Sequence, residues 1–334
     1  MPDQALPRIA IATGDPAGIG PEISLKAAGD AGVRRMCRPL VVGDPEVIRR
    51  HAAAAGIATP LNVIGKATDA LASDGAIDVL AVPFVDSAML SFGVNDAAYG
   101  RATLASAARA IAAARAGEVD AVVAAPHNQT SIAAAGIAFD GYPSFVARET
   151  GLNHNDVFLM LCFGDTRIVH CTLHVSVAEA LALITQDRVA RTIRAADAAL
   201  RRIGVAQPRL CVSGLNPHAG EGGLFGREEI DVIAPALAAA QADGIAVVGP
   251  FGADTMLQRP DVDAFVVMLH DQGHIAAKLL AHNQSAAFAI GSPILFSSVA
   301  HGSAFDIAGK GIASPAAMIE AITRIAGRHP VPRP

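Results

Sequence analysis

Residues 8–28 read RIAIATGDPAGIGPEISLKAA. An apolar run of strand length gives way to a Gly/Pro-rich turn at 14–22, and a helical pattern follows with Pro21 suited to its first turn. Apolar runs recur at 40–42, 78–82, 121–125, 157–162, 167–173, 209–213, 264–268 and 286–290. Helical patterns lie between or after them at 45–54, 101–116, 187–203, 229–242 and 315–326. The one at 187–203 is the clearest: Val189, Ile193, Ala196 and Leu200 share a face, Arg188, Arg191 and Arg194 lie off it, and Thr185 is placed to cap it. Strand–helix alternation of this kind predicts an α/β architecture with mostly parallel sheet.

The 334 residues suffice for two domains. A polar break at 126–130 after a strand, and a return of the chain near Ser297, predict a discontinuous first domain. It would comprise 1–126 and 298–334, with 127–297 as the second domain. Hydrophobic residues make up 52% and charged residues 17% of the chain, which excludes a disordered protein. A net charge of -5, with 26 Lys plus Arg against 31 Asp plus Glu, gives no basic footprint for nucleic acid. No Trp and two Tyr leave little for base stacking. The four cysteines, Cys37, Cys162, Cys171 and Cys211, form no Cys-x-x-Cys pair and read as free thiols. The N-terminus has no signal-peptide pattern, and the charge-free stretch 279–305 is broken by His282, Asn283, Gln284, Gly291 and Pro293. A cytoplasmic protein with no membrane partner is expected.

Three segments carry candidate chemistry. GDPAGIGPE (14–22) is not a dinucleotide fingerprint, because after Gly18 and Gly20 the third position is Ile23, and no Gly-Lys-Ser/Thr of a P-loop exists. By itself it reads as a structural turn. Histidines gather at strand ends: His170 and His174 in IVHCTLH, His218 in NPHAGEGG, His270 and His274 in LHDQGH. Strand ends are where open α/β sheets bind ligands, so these are candidates for a mononuclear metal site, with satisfied core histidines as the alternative. HGSAFDIAGKGIASP (301–315) has the small residues and glycines that let backbone wrap a ligand, with His301 and Asp306 as polar anchors. A turn-rich loop capped by Ser314 is the plain alternative.

HGSAFDIAGKGIASP closely resembles the cofactor loop of isopropylmalate dehydrogenases, with Phe305 where that family usually has proline. GDPAGIGPE, GLNPHAGEGGLFGREE (214–229), GADT (252–255) and MLHDQG (268–273) are similar to the 4-hydroxythreonine-4-phosphate dehydrogenase family. The resemblance implies two α/β/α domains with mostly parallel sheets, isopropylmalate/isocitrate dehydrogenase-like, and an active site in the interdomain cleft. It implies NAD on His301, Gly302, Ser303, Ala304 and Asp306. A divalent metal, zinc by first choice although cobalt, iron and nickel suit the same nitrogens, is implied on His174, His218 and His270. The family's substrate lysine matches Lys278, as acid/base or as a carboxylate partner. Asp271 would orient a histidine, and Asp254 is a further catalytic candidate. A homodimer with shared sites is implied, the loop histidine His218 coming from the partner subunit.

The phosphate side of that family is not kept. Its His-Thr pair corresponds to Tyr142-Pro143, its loop lysine to Gln129, and the Asn and Arg after the substrate lysine to Ala287 and Phe296. Each change removes a cation or donor that an anionic group needs. Together with GIAFDGYPS, VFLML, RIVHCTLHVSV and LHDQGHIAAKLLA, these changes resemble the terephthalate cis-dihydrodiol dehydrogenase branch. The implied reaction is NAD- and metal-dependent oxidative decarboxylation of 1,2-dihydroxy-3,5-cyclohexadiene-1,4-dicarboxylate to protocatechuate, CO2 and NADH. Tyr142, Gln129, Phe296 and Lys278 would surround this small dicarboxylate. Two alternatives stay open: a 4-hydroxythreonine-4-phosphate dehydrogenase of pyridoxal phosphate biosynthesis, and a metal-dependent hydro-lyase without NAD.

Overall fold

The first strand, β1 (Arg8–Ala12), has no exposed surface from Ile9 to Ala12. A parallel strand covered on both faces needs an unbroken apolar run rather than alternation, and this is the pattern found. The structure, a computed structural model, describes residues 6–71, 73, 75–84, 89–281 and 285–327. After β1 come α1 (Gly20–Gly29), α2 (Ala31–Met36), β2 (Arg38–Gly43), α3 (Pro45–Ala54), β3 (Leu61–Ile64) and β4 (Ile77–Ala81). α4 (Ala97–Arg115), β5 (Ala121–Ala124), α5 (Gln129–Ala134) and α6 (Tyr142–Thr150) follow. Then come β6 (Phe158–Phe163), β7 (Thr166–His170), α7 (Val177–Leu183), α8 (Gln186–Arg202), β8 (Arg209–Ser213), α9 (Ala234–Ala242) and β9 (Ala246–Phe251). β10 (Ala264–Val267), α10 (His270–Ala281), β11 (Ala286–Ile290), β12 (Leu295–Val299) and α11 (Ala316–Ile325) complete the order. Side-chain caps set several starts: Asp44 on α3, Asp96 on α4, Asn128 on α5 and, as expected, Thr185 on α8.

The chain divides into two compact units. The first runs to Gly151 and resumes at Pro293; its strands are ordered β3-β4-β2-β1-β5-β12, all parallel. The second is Leu152–Ser292, with strands ordered β11-β6-β7-β10-β8-β9. There β6 runs antiparallel to both neighbours while β7, β10, β8 and β9 are parallel. Its core gathers Leu159, Leu161, Ile168, Cys211, Phe265 and Val267. The units cross at 151/152 and 292/293, whereas the sequence reading sets the crossings at 126/127 and 297/298. Residues 127–151 stay with the first unit because α5 and α6 pack on α4, and the return precedes β12, which pairs with β5.

Three strands are not visible as apolar runs. β3 (LNVI) is partly exposed at the sheet edge, β9 contains Gly249-Pro250, and β12 (LFSSV) buries Ser297 and Ser298. Among the described residues no helix is long and apolar enough to cross a membrane.

Candidate active site

In the second unit, β7 ends at His170 and the chain turns away through Cys171 and Thr172, whose amides bond to Val267 and Met268. His170 and His174 therefore do not share a strand face. His170 is buried, its Nδ1 donates to the Leu159 carbonyl at 3.3 Å, and its Nε2 faces Gly273, where a Cβ would overlap it. His174 lies beyond the strand, 5.6 Å between ring centroids from His270, the first residue of α10. His274, one turn on, stacks on His270 at 3.7 Å and meets His170 at 4.5 Å. Lys278 continues the same helical face; burial above all, then the charges of His270 and His174 and least that of Lys278, lowers His274 to about 4.

The Asp271 carboxylate accepts from His270 Nδ1 at 2.7 Å. That bond leaves Nε2 as the free ring nitrogen, an arrangement common in metal-binding histidines. With zinc–nitrogen bonds of about 2.0–2.1 Å, two rings on one ion stand roughly as far apart as His174 and His270. The pair fits the divalent ion implied by the sequence. Asp254 is exposed on the turn after β9.

His218 is placed differently. Residues 218–222 run through the left-handed region, with φ of 53° at His218, 52° at Ala219, 78° at Gly220, 43° at Glu221 and 66° at Gly222. Three of these are not glycine, each at a cost on the order of 1 kcal/mol. Buried Glu229 holds the turn: its Oε1 accepts from the amides of Leu215 and Asn216 at 2.7 Å, and its Oε2 from Asn216 Nδ2 at 3.0 Å. Burial alone pushes the Glu229 carboxyl up, but these bonds outweigh it and hold it below the usual range. The turn presents His218 to solvent, 65% exposed, with Nδ1 3.4 Å from Glu221. Among the described residues no three His, Cys, Asp or Glu stand close enough to hold a metal. One chain thus brings together His174 and His270 but not His218.

In the first unit, loops after three parallel strands pack backbone on backbone. Asp15 N donates to the Pro126 carbonyl at 3.0 Å, and Gly14, at φ 70°, lies so close to that carbonyl that a Cβ has no room. Ile19 N donates to Ser303 O at 2.9 Å, which fixes the 301–306 loop at its buried serine. His301 Nδ1 donates to Gly302 O at 3.0 Å, Ala304 sits at φ 41°, and Asp306 is exposed. A Cβ on Gly302 would meet nothing within 4 Å. A loop pinned at Ser303 and open at Gly302 fits an extended ligand such as a dinucleotide.

Beside it Tyr142 is buried, donates to Ala125 O at 3.2 Å, and is ringed by His127, Phe139, Phe145 and Phe296 at 5.1–6.4 Å. Phe296 corrects the sequence expectation. It has no exposed surface, because β12 pairs with β5 at Val122 and turns this side chain into the core under Tyr142; it supports that ring and does not itself line a pocket. Gln129 is exposed and donates to the Phe139 carbonyl. Burial lowers His127 to about 4 and raises Asp15 to about 6, the latter opposed by the Ala17 amide.

These shifts set an acid limit on the fold. Burial depresses His51 and His127, and lowers His170 to about 3, so unfolding takes up protons as pH drops below about 6.5. Asp15 opposes this, since its raised pKa means the folded state holds its proton between the ordinary aspartate range and about 6. The histidines outnumber it. Stability is therefore expected to fall on the order of 2 kcal/mol per pH unit between pH 6 and 4. Urea unfolding midpoints across that range check this; a flat profile contradicts it.

The chain matches the family described as "Pyridoxal phosphate biosynthetic protein PdxA" over residues 35–325. It belongs to the PdxA family. Within reach of that family, the chain is 42% identical over 316 residues to "1,2-dihydroxy-3,5-cyclohexadiene-1,4-dicarboxylate dehydrogenase" of Comamonas sp., covering 94% of this chain and 96% of the relative. It is 39% identical over 321 residues to "D-threonate 4-phosphate dehydrogenase" of Cupriavidus necator, covering 95% and 96%. The crystal structure of a terephthalate 1,2-cis-dihydrodiol dehydrogenase from Burkholderia xenovorans LB400 superposes with a TM-score of 0.75 at 46% identity, covering 96% and 98%. This PdxA-family protein is a dehydrogenase. Sequence reasoning missed Glu229 as the support of the His218 turn. The available signal was a run of acids just after a glycine-rich loop, which also suits a solvated helix start.

Proposed function

We propose that this PdxA-family dehydrogenase oxidatively decarboxylates a non-phosphorylated cyclic hydroxy acid, namely 1,2-dihydroxy-3,5-cyclohexadiene-1,4-dicarboxylate. The carrying observation is the buried aromatic cluster around Tyr142, with His127 held neutral by burial, at the place where the resemblance to 4-hydroxythreonine-4-phosphate dehydrogenases implies a His-Thr pair. Arg148, the cation stacked on Phe145 at 4.8 Å, is exposed on the far end of that cluster. A doubly charged phosphate gains little there. The relatives named for the diol support the reading, and the relative named for D-threonate 4-phosphate keeps a phosphorylated substrate as the second reading.

Bound NAD supplies a hydride acceptor, and a bound divalent ion supplies a Lewis acid for the hydroxyl and the ketone oxygen. The chain's own part is to hold and orient. His174 and His270 hold the ion, Asp271 fixes the His270 ring, and His218 of a second copy completes the set. Lys278, on the same face of α10, pairs a carboxylate or moves a proton. His301, Gly302, Ser303, Ala304 and Asp306 hold the dinucleotide. Hydride would leave the secondary alcohol carbon as its hydroxyl proton passes to a base such as Lys278. The resulting ketone would lie β to a carboxylate, the C–C bond to that carboxylate would break as CO2, and the proton would return to the enolate oxygen. The remaining electron pair aromatises the ring, so the dicarboxylate dianion plus NAD+ gives protocatechuate monoanion, CO2 and NADH with charge balanced.

A homodimer belongs to the same proposal. α7 buries only Ala180 and exposes Val177 and Leu181, α10 exposes Ile275 and Leu279, and Leu224 and Phe225 stand out just past the His218 turn. Apolar surface of this extent, beside a strained turn carrying a ligand residue, suits a second copy. The test is stoichiometric: purified protein, NAD and the diol should release NADH and CO2 one to one. Chelation should stop both and a divalent ion restore them. NADH without CO2, or full activity in metal-free protein, rejects the reading.

A further inference from the structure

Helix α1 carries a charged pair whose other partners lie 285–291 residues further along the chain. Glu22 is 1% exposed. Its Oε1 accepts from Lys26 Nζ at 2.7 Å and from the Ala313 amide at 2.8 Å. Lys26 Nζ also donates to the carbonyls of Gly311 at 3.0 Å and Ala313 at 2.8 Å, so all three ammonium hydrogens are used. Burying a carboxylate is costly, and an apolar pair would seal α1 on this loop with less desolvation. What a charged pair adds is direction. It fixes residues 311–313 through one amide and two carbonyls at once.

The same loop is seated elsewhere by the segment that precedes α1. Gly18 approaches Ser303 so closely that an added Cβ would stand 2.7 Å from the serine Cβ, and Ile19 N bonds Ser303 O. Gly93 bonds the Ala17 carbonyl and leaves room for the carbonyl of Phe305, while Gly309 packs flat on the Phe92 ring. GDPAGIGPE is thus more than a turn. It is the floor on which the 301–313 loop lies, and Glu22 with Lys26 is its polar fastening.

We propose that Glu22 and Lys26 are positioning residues for NAD: they preorganise the 301–313 loop so that its ordering is not charged against dinucleotide binding. The proposal rests on reading that loop as the cofactor seat. A loop left unfastened must be ordered on binding, and the cost appears as weaker affinity.

NAD titration followed by calorimetry on the folded 334-residue chain tests this, with Lys26→Met, Glu22→Leu and Glu22→Gln beside the unaltered protein. Lys26→Met and Glu22→Leu are expected to raise the NAD Kd by at least about tenfold. Glu22→Gln keeps an oxygen for Lys26 and Ala313 and should raise it less than about threefold. KM for NAD should rise with little change in kcat, and divalent-ion affinity should not move; a merely structural defect would lower the melting temperature without this split. If Lys26→Met does not fold, Lys26→Gln, which keeps one amide donor, must still weaken NAD by more than about threefold. Folded Lys26 and Glu22→Leu variants that bind NAD within about twofold of the unaltered chain overturn the proposal. An unaltered chain that binds no NAD overturns the cofactor reading itself, and the fastening role with it.

Discussion

Replacing His270 by alanine is expected to abolish measurable turnover and to release the divalent ion while leaving the fold intact. His270 opens α10 and is partly exposed; its ring bonds exposed Asp271 and stacks on His274 outside the buried core, so the fold does not depend on it. Asp271→Asn, which keeps the side-chain shape but weakens the hold on Nδ1, should cost about 10–100-fold in metal affinity or activity. His174→Ala should match His270→Ala. The left-handed turn that carries His218 outward gives a sharper form of the test. Inactive His218→Ala and His270→Ala chains, mixed and allowed to exchange, should recover part of the activity, because one of the two shared sites then has every histidine. Verified mixed dimers without recovery contradict a shared site. Ion content of each variant, measured directly, separates loss of the metal from loss of chemistry.

The α/β class was legible because strands buried on both faces, most of them parallel, read as apolar runs, and nine runs stood out. What escaped notice had physical reasons. β12 hides Ser297 and Ser298 in the core, and β3 and β9 are edge strands whose outer face meets solvent. The domain crossings were misplaced because a polar break marks the end of β5, not the end of the unit that α5 and α6 belong to. At the site, spacing offered His170, His174, His218, His270 and His274, and the family resemblance singled out His174, His218 and His270, of which the fold places His174 and His270 side by side. Spacing could not show that His218 would stand apart, since that depends on backbone signs that no residue pattern at Ala219 or Glu221 announces; the resemblance alone gave that histidine to a partner subunit. Phe296 failed for a related reason: which face a strand residue takes is set by its pairing with β5, not by the residue type.

The second large effect is on substrate choice. A phosphate dianion is held by charged hydrogen bonds, each worth roughly 1.5–3 kcal/mol. Beside Tyr142 the half-buried groups are neutral His127 and the Phe139 ring, and the exposed Gln129 side chain is engaged with the Phe139 carbonyl. Loss of two or three such bonds amounts to about two to six orders of magnitude in binding, with three or more at the middle of that range. Restoring a cation should move the preference back. Gln129→Lys lies on the exposed start of α5, with Asn128 rather than Gln129 providing the cap, so the helix should tolerate it. It is expected to improve phosphorylated substrates selectively, seen as a lower KM for them and little change for the diol.

The measurement that tests this account most directly is the ratio of kcat/KM for 1,2-dihydroxy-3,5-cyclohexadiene-1,4-dicarboxylate to that for 4-hydroxythreonine 4-phosphate and for D-threonate 4-phosphate, at equal NAD and divalent ion. The expected ratio is about a thousandfold or more in favour of the diol, with one CO2 for each NADH. A ratio below one for either phosphorylated compound contradicts it.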